Sequence, residues 1–435
     1  MDSSSSELQA ALDRLTKLHP KLIDLGLERT IALSEKCGSP HLQLPPVIHI
    51  AGTNGKGSVS AFLASLYQAA GLHAHVYTSP HLCRFNERIR IAGKLISDAS
   101  LVSVLSEIEE VNNGAPITFF ESTTIAAFLA LSRHPADILI LETGLGGKYD
   151  STNIIPDTAL SVITPIARDH EHFLGADITG IATQKAGIMR KNKPTIWAKQ
   201  SRQARQGLIE TASELGAEII EEGVDFHANP TENGQMEFLW RQEKHILPAP
   251  ALIGRHQYQN AGLALAAMKM ASPSAFTPAA CKGLADAKWP GRIQKLSSGC
   301  LADILLSGRA LWLDGAHNAH GAAALIHTLQ SLHEGKWMVI FGALNTRPAE
   351  DFLAQIKPIA AHIHCLTIAD QPAAIAAQKL ADIAASLEIP ARPASSAREA
   401  LTDIDARTDK AMPVIICGSL YLAGQILAEN KTLPD

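Results

Sequence analysis

Short runs of apolar residues alternate with helical stripes of apolar residues along most of the chain. Val47–Ala51, apolar except for His49, is one such run and is typical of a β-strand. The residues after it repeat at the i, i+3, i+4, i+7 spacing of a helix with one buried face: Val59, Phe62, Leu63 and Leu66. Ile138–Leu141 are four consecutive apolar residues, which predicts a central parallel strand buried on both faces. The pattern therefore predicts an α/β fold with a mostly parallel sheet.

The second half of the chain shows the same alternation. Strands are predicted near residues 310–314, 337–341, 362–368 and 413–417, with helices between them. Residues 289–299, which contain proline and glycine, have the composition of a domain linker. We therefore expect an N-terminal domain at 1–288 and a smaller Rossmann-like α/β domain at 300–435. The second domain has no G-x-G-x-x-G fingerprint, so a bound dinucleotide is not expected there.

The composition is that of a globular protein without a general basic field. Apolar residues make up 46% and charged residues 19% of the 435 residues, enough for two or three domains with their own cores. The formal net charge of −5 argues against nucleic acid as a partner. No run of about 18 apolar residues predicts a membrane span, and the first residues lack a signal-peptide pattern. Six cysteines without a Cys-x-x-Cys pair favour reduced thiols and a cytoplasmic location.

The loop after the first strand has the composition of an anion-binding site. Gly52–Ser58 carries three glycines, one lysine and one serine, and it leads directly into the predicted helix. Backbone N–H groups at a helix N-terminus attract phosphate, and Lys56 adds a positive charge. The strict phosphate-loop motif is not met, because Ile50 replaces its first glycine and Gly57 separates Lys56 from Ser58. A phosphate-loop-type domain is the favoured interpretation, with an ordinary strand–helix turn as the alternative.

A glutamate ends the predicted central strand. Glu142 follows Ile138–Leu141 and leads into the glycine-rich loop Thr143–Gly147. An acid beside a phosphate loop usually holds the Mg²⁺ that bridges nucleotide phosphates. The alternative is a strand-end glutamate that caps the following turn.

Other polar residues near predicted element ends have both a chemical and a structural explanation. Ser79 and His81 follow a strand at 74–78, where chemistry in α/β sheets gathers but surface turns are equally common. Thr118 and Glu121 have the spacing of a capping box, which explains them without any substrate.

The same ambiguity holds for four further candidates. Asp314 and His317 follow a predicted strand, where they could line a cleft or cap local turns. His170 is a lone histidine in a loop, and Lys185, considered alone, has the character of a basic surface residue.

Eight stretches in one order match a known family over nearly the whole chain. They are Gly52–Ser58, Thr78–Leu82, Leu141–Gly147, Asp169–His170, Gln184–Ile188, Pro290–Arg292, Asp314–Asn318 and Cys417–Tyr421. In these stretches the chain resembles the folylpolyglutamate synthase/dihydrofolate synthase family of the Mur ligase superfamily.

The resemblance implies an amide ligase in which ATP phosphorylates a pteroate or folate carboxylate and L-glutamate attacks the acyl phosphate. Domain 1–288 would then bind ATP and the pterin or folate. The implied ATP-binding residues are Thr53, Asn54, Gly55, Lys56, Gly57, Ser58, Asn260, Arg292, Asp314 and His317. The implied ligands of Mg²⁺, expected as two ions, are Ser79, Glu142 and His170.

The catalytic residues implied by the same resemblance are Lys56, His170 and Lys185. Lys185 matches a lysine that the family carbamylates. A carbamate there would be an anion that faces Mg²⁺ and orients the incoming amine. Mg²⁺ and Lys56 would offset the charge that grows on the transferred phosphoryl group.

A pterin site is also implied by the resemblance. Its residues would be Asp24, Leu25, Gly26, Leu27, Thr118, Phe119, Phe120, Glu121, Tyr149, Asp150 and Ser151. Phe120 could stack on the ring, and Asp150 could accept its N–H groups. Bifunctional members of the family glutamylate dihydropteroate as well as reduced folates, and this is the favoured interpretation. A monofunctional folylpolyglutamate synthase is the alternative.

Three positions depart from the family's pattern. Lys148–Tyr149 stands where Arg-Leu is usual, Gln184 where Glu is usual and Ala319 where Pro is usual. The first departure lies inside the implied pterin site, so it bears on substrate preference. None of the three removes an implied metal or phosphate ligand.

Other classes of protein remain as alternatives. A Mur-type peptidoglycan ligase normally has a separate N-terminal domain for a UDP-sugar, and only about 45 residues precede the glycine loop here. A non-catalytic nucleotide-binding module would have lost Lys56, Glu142 or Lys185, and all three are present. An ATPase or kinase would have no glutamate site. The expected partners are small molecules, namely ATP, L-glutamate and dihydropteroate or reduced folates, and the expected oligomeric state is a monomer.

Overall fold

The chain divides into two compact units. The structure is a computed structural model that describes residues 3–19, 21, 23–306, 308–406 and 412–435, without the side chains of residues 3–5. The first unit comprises Met1–His81, Phe85–Ala251 and Tyr258–Lys288. The second comprises Leu82–Arg84, Leu252–Gln257 and Trp289–Asp435. Both units are α/β, the first being the larger, which confirms the predicted fold class.

The first unit contains an eight-stranded sheet, a three-stranded sheet and covering helices. Its strands are β1 (Val47–Ala51), β2 (Ala74–Tyr77), β3 (Ile89–Ile91), β4 (Lys94–Leu95), β5 (Ile138–Glu142), β6 (Leu160–Ile163), β7 (Thr195–Trp197), β8 (Ile219–Glu221), β9 (Phe226–Pro230), β10 (Met236–Trp240) and β11 (Glu243–Leu247). Its helices are α1 (Ser3–Thr16), α2 (Glu28–Lys36), α3 (Lys56–Ala69), α4 (Asp98–Asn112), α5 (Phe119–Ser132), α6 (Glu171–Leu174), α7 (Ile178–Ala186), α8 (Arg202–Leu215), α9 (Arg255–Ala271, which begins within segment 252–257 of the second unit) and α10 (Pro278–Cys281).

The large sheet is parallel except at one edge. Its order is β4-β3-β2-β5-β1-β6-β7-β8, and only β3 and β4 are antiparallel to their neighbours. β1 and β5 are buried at every residue, because helices cover both faces of the sheet. The chain leaves β1 for β2 on one side and later reaches β6 on its other side, which opens a crevice at the carboxyl end of β1.

Strand register sets which loops are neighbours at this edge of the sheet. Ile50 of β1 is paired with Glu142 of β5, and Ala51 is paired with Ile163 of β6. The loops that begin at Gly52, Thr143 and Thr164 therefore start side by side, and they are the loops that carry the candidate chemistry.

The second unit is built around a six-stranded sheet. Its strands are β12 (Gln294–Leu296), β13 (Leu311–Leu313), β14 (Trp337–Phe341), β15 (Ala360–Cys365), β16 (Ala391–Pro393) and β17 (Val414–Cys417). Its helices are α11 (Ala319–Leu332), α12 (Ala349–Ile356), α13 (Ala377–Ser386), α14 (Ala397–Ala406) and α15 (Leu420–Glu429).

The order of this sheet is β12-β13-β17-β14-β15-β16, with β12 alone antiparallel to its neighbour. Apolar clusters cover both of its faces. The segment expected to be a linker, 289–299, contains regular secondary structure, because β12 lies within it. In the described part of the chain, no helix has the length and apolarity needed to cross a membrane.

Candidate active site

The glycine loop after β1 is shaped by what glycine allows. Gly52 has a φ of +147°, and a Cβ atom at this position would overlap the Thr164 hydroxyl. Gly55 has a φ of +92°, and a Cβ atom there would lie 2.6 Å from Asn260 Oδ1. Both glycines are therefore required by close approach as well as by backbone conformation. Asn260, expected to contact ATP, does lie against the loop.

The first turn of α3 offers donors to an anion. The helix begins at Lys56, and no side chain of the described residues caps it. The first N–H groups of a helix have no partner within the helix, so uncapped they attract negative charge. The Thr53 and Asn54 amides instead donate to the Pro165 carbonyl, which holds the loop against the β6 side of the sheet.

Two lysines and one glutamate meet at the start of this loop. Lys56 Nζ and Lys185 Nζ both donate to the Gly52 carbonyl, at 3.2 and 2.9 Å. Lys56 Nζ is also 3.9 Å from Glu142 Oε1. These three side chains, separated by up to 129 positions in the sequence, form one charged group.

Lys185 is not a surface residue, so the interpretation drawn from its sequence context alone was wrong. It is only 5% exposed in α7. Burial, together with repulsion from Lys56, lowers the pKa of Lys185 to about 7, against the opposing influence of Asp169 and Asp150. The backbone of Lys185 packs directly against Gly147, where a Cβ atom would lie 2.8 Å from the Lys185 carbonyl oxygen. Lys185 thus contacts both the Thr143–Gly147 loop and the Gly52 carbonyl oxygen, partners that the local sequence does not reveal.

The expected protein ligands of Mg²⁺ are few, which suits a metal whose other ligands are water molecules and substrate phosphates. The Ser79 hydroxyl is buried, and no group among the described residues hydrogen-bonds to it. Tyr77 of β2 is paired with Leu141 of β5, so Glu142, the last residue of β5, and Ser79, two residues after β2, lie at the ends of adjacent strands. The described residues contain no cluster of three or more His, Cys, Asp or Glu suited to a metal. Magnesium usually keeps water and substrate phosphates among its ligands, so a small protein set suits it.

His170 lies on a more exposed loop than the other two. It has a φ of +52°, precedes α6, and its side chain is 41% exposed. Its backbone N–H donates to Asp169 Oδ1 at 2.8 Å, and its Nε2 is 3.9 Å from the same oxygen. Asp169 was not among the predicted site residues, although it is buried and acts electrostatically on Lys185. Its place directly before His170 was the available signal.

Arg29 joins two of the three stretches expected to form the pterin site. Its Nη1 is 3.0 Å from Asp24 Oδ2, and its Nη2 donates to the Asp24 carbonyl at 2.8 Å. Its Nε lies 3.1 Å from each Glu121 carboxylate oxygen. Thr118 and Glu121 also form the complete capping box of α5, which confirms that prediction. Arg29 itself was missed, because residues 92 positions apart leave no periodic signal.

The third stretch connects to the others through the loop after β5. A Cβ atom at Gly144 would overlap the Phe120 ring, so this ring lies directly on the loop. Asp150 accepts from the Leu145 amide at 2.8 Å and from the Thr152 amide at 3.0 Å. Burial raises the pKa of the Asp150 carboxyl. Tyr149, in contrast, is 42% exposed.

Leu25, Gly26, Leu27, Phe119 and the buried Ser151 complete the expected substrate residues. Leu25 is exposed, and Leu27 directly precedes α2. The Phe119 ring packs edge-to-face against Phe85, with 5.8 Å between the ring centres. The three stretches therefore form one contiguous region of the first unit, held by Arg29, Gly144 and Leu145.

In the second unit, Asp314 organises the loop after β13. Its carboxylate accepts from the Ile293 amide at 2.9 Å and from the Ala316 amide at 2.7 Å. Burial raises its pKa, while the Arg292 guanidinium acts in the opposite direction. Arg292 lies over Gly315, and His317 Nδ1 is 2.8 Å from the Gly315 carbonyl oxygen. Asp314 thus has the capping role that was one of its two predicted explanations.

The site combines a glycine loop at the N-terminus of α3, a lysine 3.9 Å from a strand-end glutamate and a second, buried lysine that donates to the same carbonyl oxygen as the first. The family model of the Mur ligase middle domain matches residues 50–268. The model of the Mur ligase glutamate ligase domain matches residues 302–420.

Named relatives narrow the family. The chain is 31% identical to the dihydrofolate synthase/folylpolyglutamate synthase of Escherichia coli over 98% of this chain and 96% of the relative. It is also 31% identical to the folylpolyglutamate synthase of Lacticaseibacillus casei, over 94% of this chain and 95% of the relative. The chain therefore belongs to the dihydrofolate synthase/folylpolyglutamate synthase family of Mur ligases.

Solved structures show the same fold over the full length. E. coli FolC in complex with DHPP and ADP matches with a TM-score of 0.88 and 30% identity, covering 98% of each chain. A bifunctional folylpolyglutamate synthase/dihydrofolate synthase with Mn, AMPPNP and L-glutamate bound matches with a TM-score of 0.86 and 31% identity, again over 98% of each chain.

Proposed function

We propose that this chain is an ATP- and Mg²⁺-dependent amide ligase that joins L-glutamate to dihydropteroate and to reduced folates. The observation that carries the proposal is the meeting of Lys56, Lys185 and Glu142 at a glycine loop that opens an uncapped helix. A non-catalytic nucleotide-binding module has no need of a buried lysine behind its phosphate loop. The Mn, AMPPNP and L-glutamate bound to a relative support the same class of reaction.

The reaction has two steps whose charges match these groups. A substrate carboxylate oxygen attacks the γ-phosphorus of ATP, and the bond between this phosphorus and the β,γ-bridging oxygen breaks. The products are ADP and an acyl phosphate. The glutamate amine then attacks the acyl carbon, loses a proton and expels inorganic phosphate. Lys56 and the N–H groups of α3 stabilise the negative charge that moves between the phosphate oxygens in the first step.

For the metal, we propose that Ser79, Glu142 and His170 are the protein ligands, as the buried Ser79 hydroxyl supports. Bound Mg²⁺ would neutralise phosphate charge and align the phosphoryl group with the attacking carboxylate. Thr53, Asn54, Gly55, Gly57 and Ser58 would surround the phosphates, and Asn260 beside Gly55 would hold the loop closed around them. Arg292, Asp314 and His317 are proposed as further ATP-binding residues.

We further propose that Lys185 is carbamylated. A neutral lysine amine adds to CO₂ and releases one proton, giving a carbamate anion. The pKa of Lys185 is lowered to about 7, so a large share of neutral amine is present near neutral pH. The carbamate would place a negative charge near Lys56, where the unmodified ammonium places a repulsive positive charge.

The pterin region supports the bifunctional form of the enzyme. The Phe120 side chain, which lies on the loop after β5, could stack on the pterin ring, and Asp150 offers carboxylate oxygens to the N–H groups of the pterin. The monofunctional alternative is favoured by one observation, the Lys148–Tyr149 pair, in which the ammonium lies 5.4 Å from the centre of an exposed ring. The chain is equally identical to a relative named dihydrofolate synthase/folylpolyglutamate synthase and to one named folylpolyglutamate synthase, so sequence identity does not separate the two forms.

Release of inorganic phosphate by the purified protein is the experiment that tests this proposal. ATP, Mg²⁺ and L-glutamate would be supplied with dihydropteroate in one reaction and tetrahydrofolate in another, and the products identified by mass. We expect stoichiometric amide formation in both reactions. Turnover with tetrahydrofolate alone would establish the monofunctional enzyme, and phosphate release without amide product would overturn the proposal.

A further inference from the structure

A chain of hydrogen-bonded side chains runs from the centre of the large sheet to Asp150. His49 lies in the middle of β1 with no exposed surface, and its Nε2 is 2.9 Å from Thr152 Oγ1. The Thr152 hydroxyl donates to Asp150 Oδ1 at 2.5 Å. The proposed reaction uses Asp150 but gives no role to His49 or Thr152.

The hydrogen bonds of this chain run in one direction. An ionised carboxylate can only accept a hydrogen bond, so the Thr152 hydroxyl donates its single hydrogen to Asp150. Thr152 Oγ1 must then accept from His49, which places the imidazole hydrogen on Nε2. His49 Nδ1 has no hydrogen-bond partner among the described residues, and a bare lone pair is less costly there than a buried N–H group.

An imidazole at this position is otherwise unfavourable. The remaining residues of β1 are apolar, and the strand is buried on both faces. Burial, assisted by repulsion from Arg190, lowers the pKa of His49 to about 3, so the ring is neutral and forms no ion pair near neutral pH. Strand packing alone would favour an apolar residue. The hydrogen bond to Thr152 is the one interaction in the described structure that requires a donor at this point.

The Asp150 carboxylate is held from two sides. Its Oδ2 accepts from the Leu145 amide in the loop after β5, and its Oδ1 accepts from the amide and hydroxyl of Thr152. The hydroxyl is the only one of these donors that a side-chain substitution removes. Its loss removes the short hydrogen bond that fixes Oδ1 against Thr152 and leaves the carboxylate held by backbone amides, which weakens the hold on its orientation.

We propose that His49 and Thr152 are positioning residues that orient the Asp150 carboxylate toward the ring N–H groups of the pterin substrate. The inference rests on the proposed function, since it takes Asp150 as a ligand of that substrate. His49 acts only through Thr152, because its ring contacts the hydroxyl and not the carboxylate. The pair therefore sets the affinity for the ring-bearing substrate without touching it.

The first test replaces the hydroxyl of Thr152. Thr152→Val keeps the shape and removes the donor, whereas Thr152→Ser keeps the donor. The KM for whichever pterin substrate the phosphate-release assay identifies would be measured at saturating ATP and L-glutamate. We expect Thr152→Val to raise this KM about tenfold, the size of one lost hydrogen bond to a charged group, and Thr152→Ser to change it by less than about twofold. The KM values for ATP and L-glutamate should not change.

The second test asks whether His49 acts through Thr152. His49→Leu should raise the same KM by a smaller factor, and His49→Gln, which can still donate an N–H, should restore most of it. The double variant His49→Leu/Thr152→Val should be no worse than Thr152→Val alone, because the hydroxyl is the only route between the ring and the carboxylate. Ile48→Val, which shortens a side chain in the same strand, should leave all three KM values unchanged.

Distinct outcomes separate this inference from the proposed function. Wild-type turnover with an unchanged KM in Thr152→Val would overturn the inference and leave the function intact. Multiplying effects in the double variant, or equal rises in all three KM values, would reduce His49 to a structural role. An inactive wild-type protein with both pterin substrates would overturn the proposed function and this inference together.

Discussion

At the scale of single residues, the Gly52 carbonyl oxygen is where the charges of the site meet. Lys56 and Lys185 both donate to it, so two ammonium groups compete for one acceptor in a buried place. Burial, and after it the repulsion from Lys56, lowers the pKa of Lys185. Conversion of Lys185 to a carbamate would relieve this repulsion, because the anion would attract Lys56 instead of repelling it.

Removal of the Lys185 side chain tests this argument directly. We expect Lys185→Ala to lower the rate of amide formation by about 100-fold, the usual cost of removing one charge aimed at the reacting groups. Added acetate or another small carboxylate should restore part of the rate, since it can occupy the space and supply the anion. The measurement is the rate of amide product formation with and without the added carboxylate.

Lys193→Ala is the matched control for this experiment. Lys193 is a nearby lysine that pairs with Asp157 at the surface, 2.9 Å between the charged atoms. Its removal should leave the rate unchanged and insensitive to acetate. Wild-type activity in Lys185→Ala would contradict the carbamate proposal.

At the scale of secondary structure, α3 lacks the side-chain cap with which four other helices of the first unit begin. α4, α5, α7 and α8 each begin with a side-chain cap, from Ser97, Thr118, Asp177 and Ser201 respectively. α3 has Gly55 at this position and no side-chain cap among the described residues. Since a cap would occupy the N–H groups that an anion needs, its absence keeps the start of α3 available for phosphate.

Gly55→Ala is therefore expected to weaken nucleotide binding. The new Cβ atom would lie 2.6 Å from Asn260 Oδ1, in a left-handed backbone conformation that alanine disfavours. The loop would have to shift, and we expect the KM for ATP to rise at least about tenfold. Steady-state kinetics with varied ATP would measure the change.

Gly71→Ala separates the loop effect from backbone strain. Gly71 follows the other end of α3 with a similar φ of +76°, and a Cβ atom there would meet nothing within 4 Å. This variant should lose stability by about 1 kcal/mol from strain and keep its KM for ATP. An equal rise of the KM in both variants would show that strain, rather than the Asn260 contact, is responsible.

At the scale of the whole molecule, periodic patterns predict the elements well and their distant partners poorly. The apolar run ending at Glu142 correctly predicts a buried central strand, because burial on both faces removes polar residues from it. The three-residue strand β12 is too short to leave such a pattern, so it was included in a linker. Arg29 and Lys185 owe their roles to contacts across the fold, which local sequence does not encode.

The second unit shows the same limit in its boundaries. Residues 82–84 lie far from 289–435 in the sequence, yet they belong to this unit. The Cys83 thiol donates to the Gly424 carbonyl, and the backbone of Leu82 packs directly on Gly424 in α15. A domain boundary at a single point near residue 289 therefore assigns Leu82–Arg84 to the wrong unit.

Gly424→Ala tests the importance of that contact through the sign of its effect. Helix propensity alone predicts a gain of about 1 kcal/mol for alanine inside α15. A Cβ atom at this position, however, would overlap the Leu82 carbonyl oxygen, which is backbone and cannot move aside cheaply. We therefore expect a net loss of about 1–3 kcal/mol in the free energy of unfolding, measured by urea denaturation.

Gly321→Ala in α11 is the control, because a Cβ atom there would lie 3.2 Å from its nearest neighbour, a side-chain oxygen. This variant should show a much smaller loss or a gain in the free energy of unfolding. Stabilisation by Gly424→Ala would mean that residues 82–84 are not packed against α15 in solution.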